Sequence, residues 1–125
     1  MIELLITPIG KPRMTRSDKW KKRPCVVRYW EYKNSLIWLL KQQGIHDFPD
    51  NIGALEFVLP MPDSWSAKKK ELMNGTPHQQ KPDLDNILKG ILDAVKRDDK
   101  TFYTVSGPLR KTWGYQGRII IGLND

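Results

Sequence analysis

The chain has 125 residues, 39% of them hydrophobic, which is enough for one compact domain with one core and too short for several. With Cys25 as its single cysteine and no run near the roughly 20 apolar residues of a bilayer-spanning helix, it excludes an internal disulfide, a thiolate metal cluster and a transmembrane helix. Its formal net charge of +7 comes from positions 11–28, where eight Lys and Arg meet one acid, Asp18, while the other thirteen bases and thirteen acids cancel.

That placement predicts either a polyanion partner or a solubilising surface. The N-terminal MIELLITPIGKPRM has no cationic lead before a long apolar run, so a soluble, cytoplasmic protein is expected.

In chain order, Ile2 to Ile6 reads as a first strand, ended by Pro8 and Gly10. GKPRMTRSDKWKKRP follows as an extended basic loop. Val26 to Gln43 repeats its apolar residues at three- and four-residue spacings and stops at Gly44, which predicts a helix. Gly53 to Pro60 alternates as a strand, with Leu55, Phe57 and Leu59 on one face. Ser64 or Ser66 caps a short helix that ends at Asn74 and Gly75. TPHQQKP is a loop. A second long helix runs to Val95, then KRDDK turns and TFYTV alternates weakly. Arg110 to Trp113 and Arg118 to Leu123, separated by Gly114 and Gly117, predict a terminal β-hairpin. The order implies a single α+β domain over 1–125, a mixed or mostly antiparallel sheet packed with helices.

The segment KPDLDNILKGILDAV, 81–95, carries the chemistry. At 100° per residue, Ile87, Leu88, Ile91, Leu92, Ala94 and Val95 share one arc, while Asp85, Asn86, Lys89, Asp93 and Lys96 fill the other. Asp85 and Lys89 are neighbours at i, i+4. The simpler reading makes Asp85 a helix N-cap with Lys89 as its surface ion-pair partner. Capping leaves Asp83 unexplained: two residues upstream on an extended segment, it projects to the same side as Asp85. Together they offer oxygen ligands to a hard cation such as Mg²⁺. Asp98 and Asp99 add carboxylate beyond the helix, or form only an exposed acidic turn.

The run SWSAKKKELMNGTPHQQKPDLDNILKGILDAV, 64–95, closely resembles the signature region of RusA-type Holliday junction resolvases; GKPRMTR, 10–16, resembles that family's basic opening, and Asp98–Asp99 lies where its later acidic pair is expected. The resemblance implies a RusA-like fold and a homodimeric, Mg²⁺-dependent endonuclease of bacteria or their prophages, with Mn²⁺ as a substitute ion. Such an enzyme nicks two strands of like polarity in a four-way DNA junction during recombination and repair. It places three catalytic, metal-holding aspartates on Asp83, Asp85 and Asp99, and a catalytic lysine on Lys89. Only Lys96 and Arg97 separate Val95 from the acidic pair, and Lys100 and Thr101 stand where the family has a Gln, so the choice of Asp99 over Asp98 stays open.

Phosphodiester hydrolysis builds negative charge that a cation and a lysine relieve, so these residue types suit the chemistry in their own right. DNA affinity is expected from Lys11, Arg13, Arg16, Lys19, Lys21, Lys22 and Arg23 in one stripe and from Lys68, Lys69, Lys70 and Lys81 in another. Trp20 and Trp65 either stack on exposed bases or anchor loops. Trp30 and Trp38 belong to a dimer interface or to the core. His46 is structural or superficial, and His78 is a loop residue within reach of DNA. The competing functions are a less selective branched-DNA or flap nuclease and a non-catalytic DNA-binding protein.

Overall fold

The structure is a computed structural model that describes residues 1–13, 15 and 22–124; the expectations for Arg16, Lys19, Trp20 and Lys21 fall outside them. The elements, in chain order, are strand β1 (Ile2–Leu4), helix α1 (Pro24–Gln42), strands β2 (Asn51–Ile52) and β3 (Ala54–Pro60), helices α2 (Ala67–Met73) and α3 (Leu84–Val95), a 3₁₀ turn (Asp99–Thr101), and strands β4 (Thr104–Val105), β5 (Leu109–Gly114) and β6 (Arg118–Gly122). This is the α+β class that the sequence predicts. The chain divides into two compact units, 9–48 with 82–99 and 1–8 with 49–81 and 100–125.

The first unit is helical. Pro24 opens α1 at its first turn, where a missing N–H costs nothing, two residues earlier than the sequence predicts. Gly44 follows the helix at φ +79°, the left-handed stop for which glycine is suited. α1 buries Val26, Tyr29, Tyr32, Leu36 and Leu40, and packs on the α3 stripe of Ile87, Ile91 and Val95. Trp30 and Trp38 do not join this core: they are exposed, Trp38 by 61%. Lys96, expected on the polar arc, is 3% exposed at its side chain. The helix ends at Val95 and the backbone becomes extended at Lys96, which turns its ammonium inward to the Phe48 carbonyl at 2.7 Å. Ile91 is fully buried, so Ile91→Ala should cost about 2–5 kcal/mol through lost transfer energy and a residual cavity. Urea unfolding measures this as a lower midpoint at unchanged slope.

The second unit holds a four-stranded sheet ordered β1-β6-β3-β5 and a separate two-stranded β2-β4 pair. β6 is antiparallel to β1 and β3, and β5 is parallel to β3, so the sheet is mixed. Leu4, Leu55, Phe57, Ile119 and Ile121 form its buried face. The predicted terminal hairpin is corrected here: β5 and β6 do not pair, because β3 lies between them. Two strand spacings are about 10 Å, within reach of the chain from Gly114 to Arg118 at about 3.3–3.6 Å per residue. Glycine makes the crossing possible. A Cβ at Gly114 would fall 2.3 Å from Val58 Cγ1, and one at Gly117 would fall 2.2 Å from Thr7 Oγ1.

Ser66, not Ser64, caps α2, its hydroxyl accepting the Lys69 N–H at 3.1 Å. No helix among the described residues is long and apolar enough to cross a membrane.

Candidate active site

α3 begins one residue after Asp83, so the N-cap position belongs to Asp83 and Asp85 sits in the first turn. This corrects the assignment of the cap to Asp85. Both residues are good cap types, and the periodicity of the apolar stripe does not say which begins the helix. Asp83 takes the cap position with extended backbone, φ −68° and ψ 147°, yet its carboxylate makes no capping hydrogen bond. Asp85 is 74% exposed at its side chain and has the Lys89 ammonium at 4.0 Å, itself 68% exposed. Two carboxylates therefore stand at the positive end of a helix dipole without being consumed by the helix's own backbone.

Lys89 lies one turn along from Asp85, as i, i+4 spacing requires. Asp98 and Asp99 are exposed beyond the other end of α3, with Asp99 opening the 3₁₀ turn. The turn is anchored just upstream, where the Asp47 carboxylate accepts the Arg97 N–H at 2.8 Å and lies 3.5 Å from Lys96. Among the described residues, no three His, Cys, Asp or Glu side chains gather as a group able to hold a metal ion. The structure thus brings Asp83, Asp85 and Lys89 together on one helix end and does not bring Asp99 into a group with them. The donor chemistry of the pair still fits Mg²⁺, which commonly takes one or two carboxylates and completes its shell with water and substrate phosphate.

The next carboxylate on this helix behaves differently. Asp93 Oδ2 accepts the Tyr29 hydroxyl at 2.8 Å and lies 3.3 Å from Lys33 Nζ, while Oδ1 lies 3.6 Å from Lys11 Nζ. Burial pushes the Asp93 carboxyl up, but the Tyr29 hydrogen bond and the Lys33 and Lys11 charges outweigh it and hold it below its ordinary 3.8. The Tyr29 hydroxyl is raised, first by burial and then by this carboxylate.

A carboxyl lowered in the native state stabilises the fold fully above its ordinary value, and that contribution is lost as pH falls through the lower native value. The melting temperature of the wild type should therefore drop more between pH 4 and pH 2 than that of Asp93→Asn. Parallel curves for the two proteins would contradict this assignment.

The helical period puts Asp93 on the polar arc with no role of its own, and nothing in it points to Tyr29 or Lys33. Two signals were available: a buried tyrosine hydroxyl needs a partner, and Gly90, inside a helix, marks a close backbone approach.

Of the basic residues, Lys11 and Arg23 are half-buried and Arg13 and Lys22 exposed in the helical unit, with Arg23 Nη2 donating to the Arg13 carbonyl at 2.9 Å. Lys68, Lys69 and Lys81 are exposed and Lys70 half-buried in the sheet unit. There, Lys69 Nζ sits 4.2 Å over the Trp65 ring, which packs 4.8 Å from Trp113, so Trp65 is a loop anchor with its neighbours in place. The His78 ring packs tilted against the same Trp113, 4.1 Å between centroids, and is only 5% exposed, which removes it as a DNA contact. Burial pushes its imidazole down, and the Lys111 charge pushes it further. His46 is exposed.

The family model described as Endodeoxyribonuclease RusA matches residues 6–124 of the chain. No curated protein and no solved structure matches it.

Proposed function

The chain belongs to the RusA endodeoxyribonuclease family, and from that premise we propose that it is an Mg²⁺-dependent, structure-selective endonuclease that resolves four-way DNA junctions by paired nicks in recombination and repair. The observation that carries the reading is the Asp83 carboxylate, which makes no capping hydrogen bond, two residues before an exposed Asp85 that has Lys89 beside it at the start of α3. A helix start that needed only a cap would use one of them for its own N–H groups. The match extends over both compact units, so the whole chain, 1–125, is taken as one RusA-like endonuclease domain acting in the cytoplasm of a bacterium or on behalf of a phage.

In this reading Asp83 and Asp85 hold the ion, and Asp99, the third carboxylate that the family resemblance implies, stands beyond the other end of α3 and outside their group. When bound, the cation neutralises charge that develops on the phosphoryl oxygens and lowers the pKa of an attacking water. Lys89 meets the scissile phosphate and balances the two adjoining aspartates when no DNA is present. Lys11, Arg13, Arg16, Lys19, Lys21, Lys22 and Arg23, with Lys68, Lys69, Lys70 and Lys81, supply sequence-independent contacts to backbone phosphates. A C₂ homodimer suits two equivalent cleavage sites related by a two-fold axis, and the exposed Trp30 and Trp38 of α1 are the residues assigned to its interface.

A gel assay that compares a four-way junction, a flap and a linear duplex of the same sequence tests the substrate class. The junction should be cut at least tenfold faster than either. Equal rates on junction and flap would leave a general branched-DNA nuclease in place of a resolvase.

A further inference from the structure

A second feature of the helical unit lies on α3 beyond the carboxylate pair. The Lys11 N–H donates to the Asn86 carbonyl at 3.3 Å. A Cβ at Gly90 would lie 3.3 Å from the Ile9 carbonyl and 3.7 Å from the Lys11 nitrogen, and one at Gly10 would lie 3.1 Å from Pro82 Cβ and 3.2 Å from Asn86 Nδ2. Residues 9–11 therefore run as a strap against α3, from its first turn to its middle, and glycine on both partners lets the backbones approach. The strap delivers Lys11 to Asp93, where Lys33 arrives from α1. Among the described residues one carboxylate faces two ammonium groups, so a unit of positive charge is left over, on side chains that are held but still partly exposed.

We propose that Lys11 and Lys33 form a preset seat for a backbone phosphate of the strand being cut, and that Asp93, fixed by the Tyr29 hydroxyl, is the positioning residue that sets them there. This rests on the nuclease reading of the same helix. Asp93 is two turns, about 12 Å, along α3 from Asp85. Measured along the axis of a duplex, that span corresponds to three or four nucleotides of one strand at about 3.4 Å each. Asp93 is thus separated in role from Asp83 and Asp85: its oxygens take a hydroxyl and two ammonium groups, whereas among the described residues the one ionic partner of the pair is Lys89, 4.0 Å from Asp85. Lysines already held in place lose less rotamer freedom when they meet phosphate.

The test is the salt dependence of junction binding without metal, measured as the slope of log K against log salt. Lys11→Gln and Lys33→Gln should each flatten the slope by roughly 0.9, the amount expected for one duplex phosphate contact. Asp93→Asn, which keeps an acceptor for Tyr29 but loses both ion pairs, should flatten it too, although removing an acid would by charge alone steepen it. Lys11→Gln should then have no further effect in the Asp93→Asn background. Gly90→Val alters no charge and displaces the strap; with native circular dichroism, it should flatten the slope as Lys11→Gln does.

An Asp93→Asn slope steeper than wild type, an undiminished Lys11→Gln effect in that background, or a folded Gly90→Val protein with the wild-type slope would each overturn the proposal. If Gly90→Val fails to fold, the Asp93–Lys11 cycle decides alone. Wild-type binding that ignores salt would defeat the nuclease reading as well, whereas additive effects in a protein that binds and cuts junctions defeat only this inference.

Discussion

Asp85→Asn is expected to lower cleavage of a four-way junction by on the order of 10³-fold while binding the same junction, without metal, up to about fivefold more tightly than wild type. The first effect follows if a hard cation needs that carboxylate: metal stabilisation of phosphoryl charge is worth several kcal/mol, and each 1.36 kcal/mol is a factor of ten in rate. The second follows from charge. A carboxylate a few ångströms from phosphate in water costs about 1 kcal/mol of repulsion, which the amide removes. The folded state should hardly notice, because Asp85 is 74% exposed and its one close ion pair among the described residues is the 4.0 Å contact with Lys89. Junction nicking followed by denaturing gel, with a gel shift on the same preparation, reads both effects. Full cleavage by Asp85→Asn would return the pair to helix capping and leave a DNA-binding protein without this active site.

Lys89→Ala should slow cleavage at saturating DNA by about 10²-fold, the usual scale for loss of one group that stabilises transition-state charge. KM should change little, since the lysine acts most strongly on charge that appears during the reaction. Lys89 is 68% exposed, so its removal should shift stability by less than about 0.5 kcal/mol. Lys89→Arg keeps the charge but replaces a compact ammonium by a planar fork, and is expected to recover only part of the rate. A Lys89→Ala enzyme with kcat within threefold of wild type would remove Lys89 from the chemistry.

Much of this site was legible in the sequence because it is local. The apolar stripe of 87–95 and the 85/89 spacing follow from one helical period, and the structure reproduces both. The RusA resemblance likewise rested on contiguous runs, and the family match covers 6–124. What the sequence hid was non-local. Tyr29 meets Asp93 across 64 positions, and no periodicity links them. The two-residue strands β2 and β4 exist only by pairing with each other, Asn51 with Thr104 and Ile52 with Val105, so neither carries an alternation of its own. Gly114 and Gly117 misled for a physical reason: glycine serves a tight hairpin and a close strand crossing equally well, and only the position of β3 distinguishes them.

The central claim, that this chain cuts branched DNA through the carboxylates at the start of α3, is tested most directly by mapping nicks in a four-way junction labelled on each strand in turn, with Mg²⁺ and with chelator. The account predicts Mg²⁺-dependent nicks at symmetry-related positions in two strands of like polarity, and an intact linear duplex of the same sequence. An uncut junction in Mg²⁺, or a linear duplex cut at the same rate, would contradict it.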